Sequence, residues 1–155
     1  MSRQEIVDTL RALPDQIESL VRGLDEETLR RRPAPDQWSI KEVCVHLRDS
    51  LEIDGERIRR MVEEDQPLIS SYDQEALARD RDYQNASMPL VLTALRAFSG
   101  GSAYLLEGLS EEQWQRGGRH EERGPINVGG YAEQQAVHVR AHLEQLRNLR
   151  PAPGR

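Results

Sequence analysis

The sequence predicts an all-α protein, a four-helix bundle in up-down-down-up order. Residues 1–150 are expected to form one domain and 151–155 a frayed tail. Three observations carry that expectation. Four long segments place apolar residues at the 3.6-residue helical period. The composition is 37% hydrophobic and 31% charged with a single Phe, which suits amphipathic helices better than a β-sandwich, whose strands want more β-branched and aromatic residues. A polar connection over 64–87 separates the second long segment from the third, and its length suits a crossover along the bundle.

The first segment, about residues 3–22, carries Ile6, Leu10, Leu13, Ile17, Leu20 and Val21 on one stripe. Pro14 falls inside it and predicts a kink or break, because proline lacks the N–H that the helix ladder needs. A short helix over Glu26–Arg30 follows, ended by a linker through Pro33 and Pro35. The second long helix has the clearest start signal: Ser39 and Glu42 form a capping box, flanked by Trp38 and Val43 at the positions of a hydrophobic staple. Its stripe is Ile40, Val43, Cys44, Leu47, Leu51, Ile58 and Met61, with His46 on one edge. A short helix over Asp73–Asp80 fits inside the polar connection. Ser87 and Pro89 then open a third long helix that reaches Glu107, and Gly100 and Gly101 are read as a weakened stretch or a close helix contact. A turn or short helix from Ser110 to Trp114 and a glycine-rich loop from Gly117 to Pro125 precede the fourth long helix, Asn127–Leu149.

His138 and His142 stand one turn apart on one face of that last helix, so both imidazoles can close on a single ion. In the predicted topology the second and fourth helices are antiparallel. His46 is seven residues past Ser39 and His142 seven before Leu149, so the two are level. In a parallel pair His138 and His142 would miss His46 by four to eight residues, roughly 6–12 Å at 1.5 Å per residue. The inward face of the fourth helix also holds Gln134, Gln135 and Gln145 where a purely structural helix would put leucines. A polar seam in a bundle interior requires partners, and His46, His138 and His142 are the candidate metal ligands. Three protein ligands with an open position is the arrangement of a catalytic metal rather than a structural one.

Other residues narrow the class. A formal net charge of −6 argues against a nucleic-acid surface, and the one basic run, Arg30 to Arg32, reads as a solvated helix end. Lys41, the only lysine, sits beside expected surface residues, which argues against Schiff-base chemistry. The lone Cys44 excludes an internal disulfide, fits a reducing cytoplasm, and points away from His46 into the core. No apolar run approaches the ~20 residues that span a bilayer. His120 falls in a loop expected to be solvated.

The stretch Trp38-Ser39-x-x-Glu42-x-x-x-His46-Leu47, with Asp49 two residues on and His138-x-x-x-His142 far downstream, resembles the DinB/YfiT-like superfamily of metalloenzymes. The resemblance covers almost the whole chain. It implies an up-down-down-up bundle in which His46, His138 and His142 hold a divalent metal, often nickel or zinc, and it implies a homodimer. Some relatives use low-molecular-weight thiols such as bacillithiol, mycothiol or glutathione.

The expected function is therefore metal-dependent chemistry on a small molecule, with thiol transfer or thiol-assisted isomerisation leading. Hydrolysis and a non-catalytic metal-binding bundle are the alternatives. Three imidazoles alone suit zinc, nickel, copper or iron. No acid or base declares itself. Glu42, Ser50 and Gln134, each one turn from a ligand, are candidates to orient the imidazoles, although Glu42 is already used by the capping box. Asp49 reads as surface or as a partner behind the ligands, and Arg57 as a group to meet an anionic substrate.

Overall fold

The computed structural model describes residues 1–152; of the expected tail, 153–155 lie outside the described residues, while Pro151 and Ala152 are exposed and irregular. The four long helices are α1 (Arg3–Val21), α3 (Ile40–Glu63), α5 (Met88–Gly108) and α7 (Val128–Leu149). Shorter helices are α2 (Glu26–Arg30), α4 (Gln74–Asp80) and α6 (Glu111–Gln115), and a 3-10 turn covers Tyr83–Asn85. Capping boxes start α1 at Ser2, α3 at Ser39 and α6 at Ser110, each using a side chain to satisfy backbone N–H groups that have no partner inside the helix.

Side-chain pairs fix the helix directions. Arg3 reaches the carbonyl of Leu106 and Arg96 reaches Asp15 and Glu18, so α1 and α5 are antiparallel. The Met1 amine meets Glu133 and Arg140 meets Thr9, so α1 and α7 are parallel. His46 meets His138 while Arg57 meets Tyr131, so α3 and α7 are antiparallel. The order is up-down-down-up, and the core between the helices holds Leu10, Leu13, Ile17, Leu47, Leu51, Leu95, Leu106 and Leu146.

The connection between α3 and α5 travels back along the bundle, pinned to α3. Arg60 holds the Leu68 carbonyl, the buried Asp49 carboxylate accepts from the Tyr83 hydroxyl, and Ser39 Oγ bonds Gln84. Asp49 thus anchors the crossover, with Arg48 and Arg81 balancing its charge, and is neither at the surface nor behind a histidine.

Four expectations are corrected. Pro14 does not break α1, which is continuous through it. Proline cannot donate to the Leu10 carbonyl four residues back, and the Ser99 hydroxyl of α5 donates there instead. The glycine-rich segment is not a loop but a hairpin, β2 (Gly117–His120) and β3 (Gly124–Asn127), with β1 (Leu68–Ile69) of the crossover adding in parallel to β2. Gly124 takes φ +75° at the hairpin turn, a conformation that L side chains rarely adopt. Lys41 is buried and paired with Glu26. Gly100 and Gly101 mark no contact; the close approach of α3 to α5 is at Gly55, where a Cβ would stand 3.1 Å from Ser102 Oγ.

Candidate metal centre

On α3, residues 46, 50, 54 and 57 follow one another at three- and four-residue steps and share a face; on α7, residues 131, 135, 138, 142 and 145 do the same. Because these two helices are antiparallel neighbours, the faces meet. Their upper part brings together the three histidines. His46 Nε2 lies 3.2 Å from His138 Nε2, and His142 Nε2 lies 2.9 Å from the same atom. One ring nitrogen from each histidine, the atoms that could ligate an ion, all fall within 4.8 Å of one another. The rings stand nearly edge to face, with interplanar angles of 86° and 89° for the pairs that include His138.

The donor set fits a metal. Nitrogens each about 2.0–2.1 Å from one zinc ion stand about 2.9–3.4 Å apart for angles between right and tetrahedral, which matches both separations. His142 Nδ1 lies 2.7 Å from Gln145 Oε1, an acceptor, so Nδ1 carries the proton and Nε2 presents its lone pair to the other rings. Burial keeps the imidazoles neutral: it pushes His46 down to about 3 and His138 down to about 4, helped by the neighbouring histidines, and it lowers His142 despite the bond to Gln145. Neutral imidazole is the ligating form. The Trp38 ring leans on His46 at 4.9 Å between centroids.

Most of the other singled-out residues have different employment. Glu42 serves the capping box and takes both oxygens of its carboxylate to Arg32, at 2.8 Å each, so it orients no histidine. Gln134 Oε1 accepts from Arg123 rather than backing His138. Ser50 Oγ does approach His46, at 3.4 Å from the same Nε2 that faces the centre. His120 is buried, not solvated: its Nδ1 accepts from the backbone N–H groups of Glu122 and Arg123 and closes the hairpin turn away from the centre. Cys44 is fully buried, its thiol pushed up to about 12, and has no part in ligation.

A cavity of about 220 Å³ adjoins the centre, with His138 and Ser50 in its wall. Below them the Tyr131 hydroxyl donates to Asp54 Oδ1 at 2.6 Å and accepts from Arg57 Nη1 at 2.8 Å, and Arg57 also holds the Ser70 carbonyl of the crossover. Burial raises the Asp54 carboxyl above its ordinary value, against the opposing pull of Tyr131, Arg57 and Arg123. Asp54, Tyr131 and Gln135 were not singled out as reactive by sequence reasoning. The available signal was the four-residue spacing from His46 through Ser50 to Asp54, and from Tyr131 through Gln135 toward His138. A larger cavity, about 790 Å³, opens between α3 and α5 but none of the three histidines lines it.

Comparison with known proteins places this arrangement in context. A "Putative metal-dependent hydrolase" of Oceanobacillus iheyensis is 28% identical over 145 residues, covering 94% of this chain and 84% of that one. The Bacillus subtilis protein named "Putative metal-dependent hydrolase YfiT" is 25% identical over 144 residues, 90% of this chain and 81% of that one. The solved structure of YfiT from Bacillus subtilis, described as having an unusual four-helix bundle topology, superposes with a TM-score of 0.89 at 22% identity, over 96% of this chain and 87% of that one. The profile of the DinB superfamily matches residues 9–146, nearly the full bundle, and the chain belongs to that superfamily.

Proposed function

We propose that the protein is a divalent-metal-dependent hydrolase acting on a small molecule, with His46, His138 and His142 holding the metal. The observation that carries this reading is the convergence of three neutral Nε2 atoms on one point beside a polar cavity that contains a carboxylate. Relatives named as metal-dependent hydrolases support it. Held by His46, His138 and His142, a divalent ion would supply Lewis acidity there.

The chain's own groups do the rest. Tyr131 donates to Oδ1 of Asp54, and Oδ2 has no hydrogen-bond partner among the described residues, so it is the atom available to take a proton. Arg57 fixes the Tyr131 oxygen from the other side, which keeps the carboxyl in one orientation. The raised Asp54 pKa moves its proton affinity toward the range useful to a general base. Tyr72, on the crossover, forms part of the cavity wall.

The test is a turnover panel of small esters and amides on protein loaded with zinc or nickel, run with and without added thiols. Hydrolysis without thiol is expected, and Asp54→Asn should lower kcat by about 10²–10⁴-fold while retaining the metal. Fully metallated protein that ignores hydrolysable substrates but joins a thiol to an electrophile would overturn the hydrolase reading in favour of thiol transfer, which the sequence resemblance implies. Activity without any metal would overturn both.

A further inference from the structure

Gln135 is 3% exposed, and neither atom of its amide has a hydrogen-bond partner among the described residues. A buried amide left in that state costs about 1–3 kcal/mol, and leucine at the same place would avoid the cost. Such a group in a binding cavity is explained by a partner that arrives with the ligand. The cavity walls beside it supply the character of that partner. Arg57 is 8% exposed and Arg123 stands over the Tyr131 ring, its guanidinium carbon 5.9 Å from the ring centre. Two guanidiniums, Arg57 and Arg123, and a single carboxylate, Asp54, line the cavity, inside a chain of net charge −6.

We propose that this cavity seats a carboxylate of the substrate, bound by the Gln135 amide N–H and the Arg123 guanidinium, with Arg57 adding positive charge from behind Tyr131. The assignment rests on the hydrolase reading for its claim that this is the substrate's cavity. Arg123 spends Nη1 on Gln134 and keeps further donors, and a guanidinium fork matches the two oxygens of a carboxylate. A cationic substrate would find only Asp54, opposed by the two guanidiniums that line the same cavity. The volume, about 220 Å³, is below the usual range of roughly 300–1,000 Å³ for pockets that take drug-sized molecules, so the ligand is compact.

The test uses metal-free, ¹⁵N-labelled full-length protein, so that no anion can be captured by an ion at the histidines. Acetate should shift the Gln135 side-chain amide resonance saturably, while acetamide, of equal size and no charge, should not. Arg123→Gln, a change on an exposed turn, should raise the saturating acetate concentration about tenfold, the value of one charge-assisted hydrogen bond. Gln135→Leu should lose the acetate response at neighbouring nuclei and melt at a higher temperature than the parent. No acetate shift, an equal shift with acetamide, or a lower melting temperature for Gln135→Leu would each overturn the seat. Zinc stoichiometry is measured separately on each variant. Zinc binding without acetate binding removes the seat alone; acetate binding without zinc binding removes the hydrolase and leaves an anion site.

Discussion

Gln145 gives the sharpest test of how this chain prepares a candidate metal ligand. Its Oε1 accepts from His142 Nδ1 at 2.7 Å, which leaves the His142 Nε2 lone pair directed at the other two imidazoles. Gln145→Leu removes the acceptor but keeps the volume, so the ring is freed to rotate and to place its proton on either nitrogen. Loss of such a partner behind a histidine ligand lowers metal affinity by about 10–100-fold, or about 1.4–2.7 kcal/mol. At fixed excess zinc the same amount is lost from the stabilisation by mass action, so the zinc-induced rise in Tm should shrink by about 3–10 °C for a chain of this size. Competition against a chelator gives the affinity, and paired melts with and without zinc give the second value. Gln145→Glu, which restores the acceptor, should restore the affinity. Equal zinc affinity in parent and Gln145→Leu would refute the reasoning, because the bond would then play no part in presenting the nitrogen.

Three further outcomes are expected. His142→Ala should abolish metal retention by elemental analysis while far-UV circular dichroism stays near that of the parent; unchanged stoichiometry would mean that the ligand set is wrong. Ser99→Ala should cost about 1–3 kcal/mol by orphaning the Leu10 carbonyl, and much less in a Pro14→Ala background, where a backbone N–H returns to that carbonyl; additive effects in urea melts would sink the explanation. For the metal-free protein, the folded-state pKa values of His46 and His138, about 3 and about 4, lie below the ordinary 6.5 of the unfolded chain. The unfolded state therefore binds protons first, so stability should be level above about pH 6.5 and fall as the pH drops from there toward 4. A flat urea midpoint between pH 7.5 and 5 would contradict the burial of the two rings.

The bundle, its order and the three histidines were legible in the sequence because each rests on local periodicity. Apolar spacing fixes which face of a helix turns inward. The depths of His46 and His142 within their helices fix which residues can be level once the long crossover sets direction. The capping box of Ser39 and Glu42 is equally local and was read where it stands, whereas those at Ser2 and Ser110 were not singled out.

What the sequence did not determine are the properties created by contact between distant segments. The glycine-rich run over 117–125 has no strand-like apolar alternation; it forms a hairpin, to which β1 of the crossover adds as a third strand. Pro14 stays helical because α5 brings Ser99 to the one carbonyl that proline abandons. Lys41 and Asp49 look solvent-bound by type, and each is buried with a partner from elsewhere in the chain answering its polar group. The setting of Asp54 is of the same kind. An aspartate two turns past a histidine is unremarkable until packing against α7 withdraws water from it and brings up Tyr131. Periodicity is written along one helix, whereas desolvation and hydrogen-bond partnership depend on which helices meet, and that is a property of the folded chain alone.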